Sequence, residues 1–202
     1  MTTKMALATR TMPTILALLA TMAMAGGARA ESAPLKATAL ELNVVWPFVP
    51  GVGLYQLRLT RHLWDAGSLR GDVVVSVMGR PPQDRPGEGE FAELGGGLGY
   101  RQYFAGGAHA ELALYPTWAR LTDNVVDGKT YDAFALTLEA YLGYRFVLSE
   151  LGVEAAKGWA VEPVAILQVG LGSNVLNTNP WPTTEEDGDL FFVGTLLIGV
   201  AF

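Results

Sequence analysis

Few residues of this chain are equipped for chemistry. The ionisable side chains that stand out within apolar, alternating segments are Glu41, Arg58, Glu93, Arg101, Glu111, Glu139, Arg145 and Glu162. Paired carboxylates can hydrolyse a glycosidic bond by acid–base work, whereas a carboxylate beside an arginine forms an ion pair. There are two histidines, His62 and His109, too few for a His-based metal cage. The absence of cysteine excludes thiol nucleophiles, disulfides and Cys zinc sites. Gly95-Gly96-Gly97-Leu98-Gly99 looks like a phosphate loop only superficially, since no Lys-Ser/Thr follows and no helix begins. Glu185-Glu186-Asp187-Gly188-Asp189 clusters the carboxylates that calcium favours, without EF-hand spacing, and reads as a solvated acidic loop. No catalytic residue, metal site or cofactor is assigned.

What must position the charged residues is a set of strands. Period-two alternation recurs over residues 37–47, 53–64, 72–79, 91–104, 109–120, 133–147, 159–171 and 190–202, and no stretch sustains helical spacing. One face carries Leu, Val, Ile and aromatics. The other carries Gly, Ala and Thr with one or two charges per strand, a composition suited to a crowded interior rather than a wetted surface. Lysine past residue 30 occurs only at Lys36, Lys129 and Lys157, outside these segments. Connectors near 65–71, 105–108 and 148–158 read as short to moderate turns. Those at 80–90, 121–132 and 172–189 read as longer polar loops.

Antiparallel partners across a hairpin keep a constant sum of indices, so the charges can be paired by counting along the sequence. Glu41 should face Arg58, and Arg101 should face Glu111. Arg145 should lie opposite or diagonal to Glu162, while Glu93 and Glu139 have no assigned partner. Aromatics on the apolar face divide into two belts. Trp46, Tyr55, Trp118, Phe134 and Phe192 fall toward the long-loop end; Tyr100, Tyr144, Phe146, Trp159 and Phe202 fall toward the short-turn end. Apolar-out, polar-in alternation with two aromatic belts is the pattern of a transmembrane barrel.

Composition agrees. The 202 residues are 50% hydrophobic and 17% charged, enough for one folded domain, with 24 glycines and a net charge of −6 that disfavours a nucleic-acid partner. Lys4 and Arg10 precede a short apolar run, and Ala28-Arg29-Ala30 closes it. These are the parts of a secretory signal peptide, expected to be cleaved after Ala30. Residues 31–36 then form a short periplasmic segment, and 37–202 form the domain.

The end of the sequence, Gly194-Thr195-Leu196-Leu197-Ile198-Gly199-Val200-Ala201-Phe202, resembles the last strand of Gram-negative outer-membrane β-barrel proteins. In that family a final aromatic with alternating apolar residues is the signal read by the barrel assembly machinery, and Leu196, Ile198, Val200 and Phe202 match it. The architecture resembles the small eight-stranded members (the OmpA transmembrane domain, OmpX, OmpW and PagL). The resemblance implies an all-β, eight-stranded antiparallel up-and-down transmembrane β-barrel in the cell outer membrane, reached through the Sec pathway, with outer-membrane lipid and lipopolysaccharide as partners. Pro116 and Pro163 depart from the pattern, and bulges or local breaks are expected there. PagL-like deacylases carry a His-x-Ser pair; here His109 is followed by Ala110 and Glu111, and His62 by Leu63 and Trp64, so the pair is missing. The preferred expectation is a non-enzymatic membrane protein with a salt-bridged, closed lumen and a structural or surface-interaction role. A lipid-modifying enzyme and a carrier of a small apolar ligand stand as alternatives.

Overall fold

The structure is a computed structural model that describes residues 36–49, 53–85, 87–153, 161–178 and 190–202. Alternation becomes eight strands: β1 (Thr38–Asn43), β2 (Tyr55–Ala66), β3 (Leu69–Arg85), β4 (Gly89–Ala105), β5 (Ala108–Thr122), β6 (Tyr131–Val147), β7 (Glu162–Asn177) and β8 (Leu190–Ala201). Each pairs antiparallel with its chain neighbour, and β8 returns to β1. The sheet is therefore a closed ring with no free edge among the described strands. At the seam the Thr38 and Phe202 backbones bond to each other in both directions, at 3.1 and 2.8 Å.

Turn chemistry sets the hairpins. β2 and β3 are joined by two residues, with Gly67 at φ +62°, and β4 and β5 by two more, with Gly106 at φ +55°. Positive φ carries no steric cost in glycine, which suits such tight reversals. These turns share one end of the ring with the seam. The other end holds a 3-10 turn (Trp46–Phe48), the β3–β4 reversal and the β5–β6 loop. In that loop the Tyr131 hydroxyl donates to Asp127 Oδ2 (2.5 Å), holding the carboxyl below its ordinary range.

Several elements differ from the sequence expectation. Residues 80–85 and 89–90 continue the β3 and β4 strands, so the expected long loop over 80–90 is a tight reversal at the tip of a long hairpin. Its prolines mask the strand: the β3–β4 register shifts between Arg80 and Gln83, and Pro81 and Pro82 occupy that irregularity. Similarly, β7 runs to Asn177 rather than 171, with a register shift against β6 near Leu136. β1 stops at Asn43 rather than 47. Of the two prolines expected to perturb strands, Pro116 interrupts the β4–β5 Cα pairing between Gly95↔Thr117 and Leu98↔Leu114 without changing register. Pro163, second residue of β7, pairs with Val200 without irregularity. The signal segment 1–30, residues 31–35, Trp159 and the acidic run 185–189 lie outside the described residues.

The two faces are sharply segregated. Inside lie Glu41, Arg58, Asp72, Arg101, Glu111 and Gln168, all nearly inaccessible, while outside Leu94 is 66%, Leu98 62% and Val77 59% exposed. Apolar residues cover the outer wall, and small apolar clusters occupy parts of the interior. Such an arrangement inverts the usual partition of a protein in water.

Candidate functional site

The charged interior residues converge because four strands, β1, β2, β4 and β5, aim them at one level. Glu41 and Arg58 are cross-strand partners on β1 and β2, and Arg101 and Glu111 are partners on β4 and β5. Their side chains meet across the ring. Arg101 grips Glu41 with two bonds, Nη1 to Oε1 at 2.8 Å and Nη2 to Oε2 at 3.0 Å, and donates from Nε to Glu111 Oε2 at 2.8 Å. Arg58 donates to Glu111 Oε1 from Nη2 and to Gln168 Oε1 from Nη1 (2.9 Å), with its Nε 3.9 Å from Glu41. Two guanidiniums thus alternate with two carboxylates, and the fork geometry of Arg–carboxylate pairs makes these bonds strong and directional.

Neutral groups complete the layer. Thr60 donates to Glu41 (3.0 Å), and Tyr103 Oη accepts from Arg101 (3.2 Å). The Gln168 amide nitrogen lies 3.1 Å from Glu111 and 3.0 Å from His109 Nε2. His109 Nδ1 lies 3.0 Å from the Gly107 carbonyl. This fits a neutral ring that donates from Nδ1 and accepts at Nε2. Removing both charges of a pair from water is costly, and only such dense mutual bonding offsets it. All four charged side chains of the layer are inaccessible to solvent.

The remaining charged residues sit on either side of this layer. Toward the short turns, Arg70 binds Asp72 (2.7 Å), and His62 lies 3.3 Å from Asp72 and 3.0 Å from Asp65. Neither histidine has a hydroxyl partner among the described residues. Arg145 and Glu162 approach at 3.9 Å, but they are not neighbours across the sheet. The β6–β7 register sets Ile166 opposite Arg145, four positions beyond Glu162, and the guanidinium reaches back along the ring instead. The expected pairing fails because the intervening connector offers no fixed centre from which to count.

Toward the other end lies a cavity of approximately 590 Å³. Its walls include Leu54, Met78, Phe91 and Val193, and Glu139, Glu93 and Arg80 also line it. Glu93 faces Arg80 across β3 and β4 at 3.6 Å. Glu139, which is 6% exposed, accepts a bond from the Tyr141 hydroxyl. Trp46 closes over this end rather than pointing outward. Asn43 Oδ1 accepts from the amides of Val45 (3.0 Å) and Trp46 (3.2 Å), which ends β1 and turns the chain inward. The indole then packs on the Leu54–Met78–Tyr115 cluster and donates to the Gly194 carbonyl at 2.7 Å.

The other belt residues among the described ones face out. Near the loop end Tyr55, Trp118, Phe134 and Phe192 are exposed, with Trp118 and Phe134 directly paired across β5 and β6. Near the turn end Tyr100 and Phe202 are exposed, and Tyr144 and Phe146 touch at a ring separation of 4.7 Å. Leu196, Ile198 and Val200 of β8 share their outward parity. Sequence reasoning overlooks Tyr103 and Tyr115, which reach the interior polar groups. Their inward parity with Arg101 and Glu111 is the available signal, but as aromatics they read as apolar. Comparison with protein-family models, curated proteins and solved structures returns no match.

Proposed function

We propose that the chain is a non-enzymatic outer-membrane β-barrel with a closed lumen, serving a structural or surface-interaction role through its loops. The observation that carries this reading is the inverted partition: a cooperative ion-pair layer inside a closed ring, with leucine and valine exposed on its outer wall. In water that wall would be an aggregation surface. In lipid it is the expected exterior, and closure satisfies the backbone.

The dimensions support the same reading. On β6, Phe134 of one belt and Tyr144 of the other are ten residues apart, with Leu136, Leu138, Ala140 and Leu142 between them on the outward parity. At about 3.3 Å per residue and a tilt of about 40°, that span corresponds to roughly 25 Å along the ring axis, the height of the apolar band in membrane barrels. Lipid and lipopolysaccharide would contact this band, and the assembly machinery would insert it. Membrane fractionation followed by gel electrophoresis with and without boiling tests the proposal. A compact species in the outer-membrane fraction that shifts on heating supports it; a protein in the soluble fraction with one mobility refutes it.

The alternative of a small-ligand carrier draws support from the loop-end cavity. No comparable observation favours lipid modification, since the partners of His62 and His109 are carboxylates, a backbone carbonyl and an amide.

A further inference from the structure

The loop-end cavity is lined by two arginines and two glutamates, Arg80, Arg85, Glu93 and Glu139, but their ion pairs leave one carboxyl out. Arg80 is taken by Glu93, and its guanidinium lies 5.1 Å from the Phe91 ring centre. Arg85 pairs with Glu88 at 3.2 Å and stacks 3.7 Å over the same ring. Arg58, below the floor, is committed to Glu111 and Gln168. Glu139 is left with one neutral donor, Tyr141, and no Lys, Arg or His within 4.0 Å among the described residues. In its ionised form a carboxyl this buried is stabilised by a cation, and the free volume beside it offers room for one.

The rest of the cavity defines the occupant. Phe91, Met78, Leu54 and Trp46 supply apolar and aromatic surface, and approximately 590 Å³ accommodates a molecule of modest size. A hydrated metal ion would waste that surface, and an anion would have to compete with Glu93 and Glu88 for the lining arginines Arg80 and Arg85. We propose that this cavity binds a small organic amine, its ammonium on Glu139 and its apolar body against Phe91, Met78 and Trp46. An aromatic amine would also gain from ring-on-ring contact.

The inference goes beyond the membrane assignment and rests only on the interior geometry. The test is isothermal titration calorimetry of the full chain in non-ionic micelles with 2-phenylethylamine, beside 2-phenylethanol of the same shape and no charge. Saturable one-to-one binding of the amine, at least tenfold tighter than the alcohol, is expected of the unaltered protein. Glu139→Gln should weaken the amine at least tenfold. Ala135→Phe, which fills the cavity wall and keeps the carboxylate, should do the same. Absence of saturable binding, or equal affinity for amine and alcohol, overturns the proposal, and that comparison needs no variant. Unaltered amine affinity in Glu139→Gln overturns it as well. A heat-modifiable protein that ignores the amine would defeat this site while leaving the membrane reading intact.

Discussion

Arg101 touches both carboxylates of the central layer, so its loss takes Glu41's bidentate partner and leaves Glu111 with Arg58 as its one cation among the described residues. Arg101→Ala should cost about 3–5 kcal/mol of stability, read as a lower urea midpoint of the refolded protein. Arg101→Lys should recover little, because an ammonium cannot reproduce the three bonds from Nε, Nη1 and Nη2. By contrast, Arg120→Ala, which breaks an exposed pair with Asp132, should change the midpoint by less than about 1 kcal/mol. Equal effects at the two sites would show that the layer is not what holds the interior. At this scale the sequence is informative where the centre of a hairpin can be placed. Arg101–Glu111 follows from an index sum across a two-residue turn, and Glu41–Arg58 from one across the longer connector between Asn43 and Tyr55. Arg145–Glu162 does not, because the centre of the β6–β7 connector is not marked in the sequence. Nor does the inward turn of Trp46, because an Asn43 side-chain bond to two amides leaves no trace in alternation.

Among the strands, the seam and the crowded neighbours impose the sharpest demands. A Cβ on Gly199 of β8 would collide with the Leu40 carbonyl of β1, and one on Gly170 of β7 with the Ala140 carbonyl of β6. These are backbone obstacles that no rotamer avoids. Gly199→Val should therefore reduce the yield of the compact unboiled species on a gel several-fold, whereas Gly79→Ala, whose added Cβ would meet its nearest atom at 3.6 Å, should not. Full yield from Gly199→Val would mean that the seam is looser than its backbone bonds imply. Strand existence and facing are legible from the period of two. Strand ends are not. The β3–β4 hairpin extends past Pro81 and Pro82 because irregular register absorbs their missing donors, and a sequence rule that ends strands at proline stops too early.

The closed ring as a whole presents leucine, valine and aromatic rings to its surroundings while hiding its ions. Leu98, flanked across the sheet by Val75 and Leu114, stands in the middle of that wall. Leu98→Arg should cost about 2–4 kcal/mol in lipid vesicles, the depth-dependent penalty for a charge at mid-bilayer; in a water-facing wall it would be neutral. Composition and alternation make the inverted partition legible in the sequence, since small residues with isolated charges do not make a solvated face. The loop-end cavity is not legible there, because it depends on which side chains fail to fill a shared space. The lack of native cysteine allows the outer wall to be probed one position at a time. A nitroxide on Leu98→Cys, Leu114→Cys or Leu138→Cys in vesicles, read by power saturation, reports what surrounds the wall. The account predicts strong relaxation by oxygen and almost none by a water-soluble nickel chelate at all three. Ready access of the nickel chelate to these positions would contradict it.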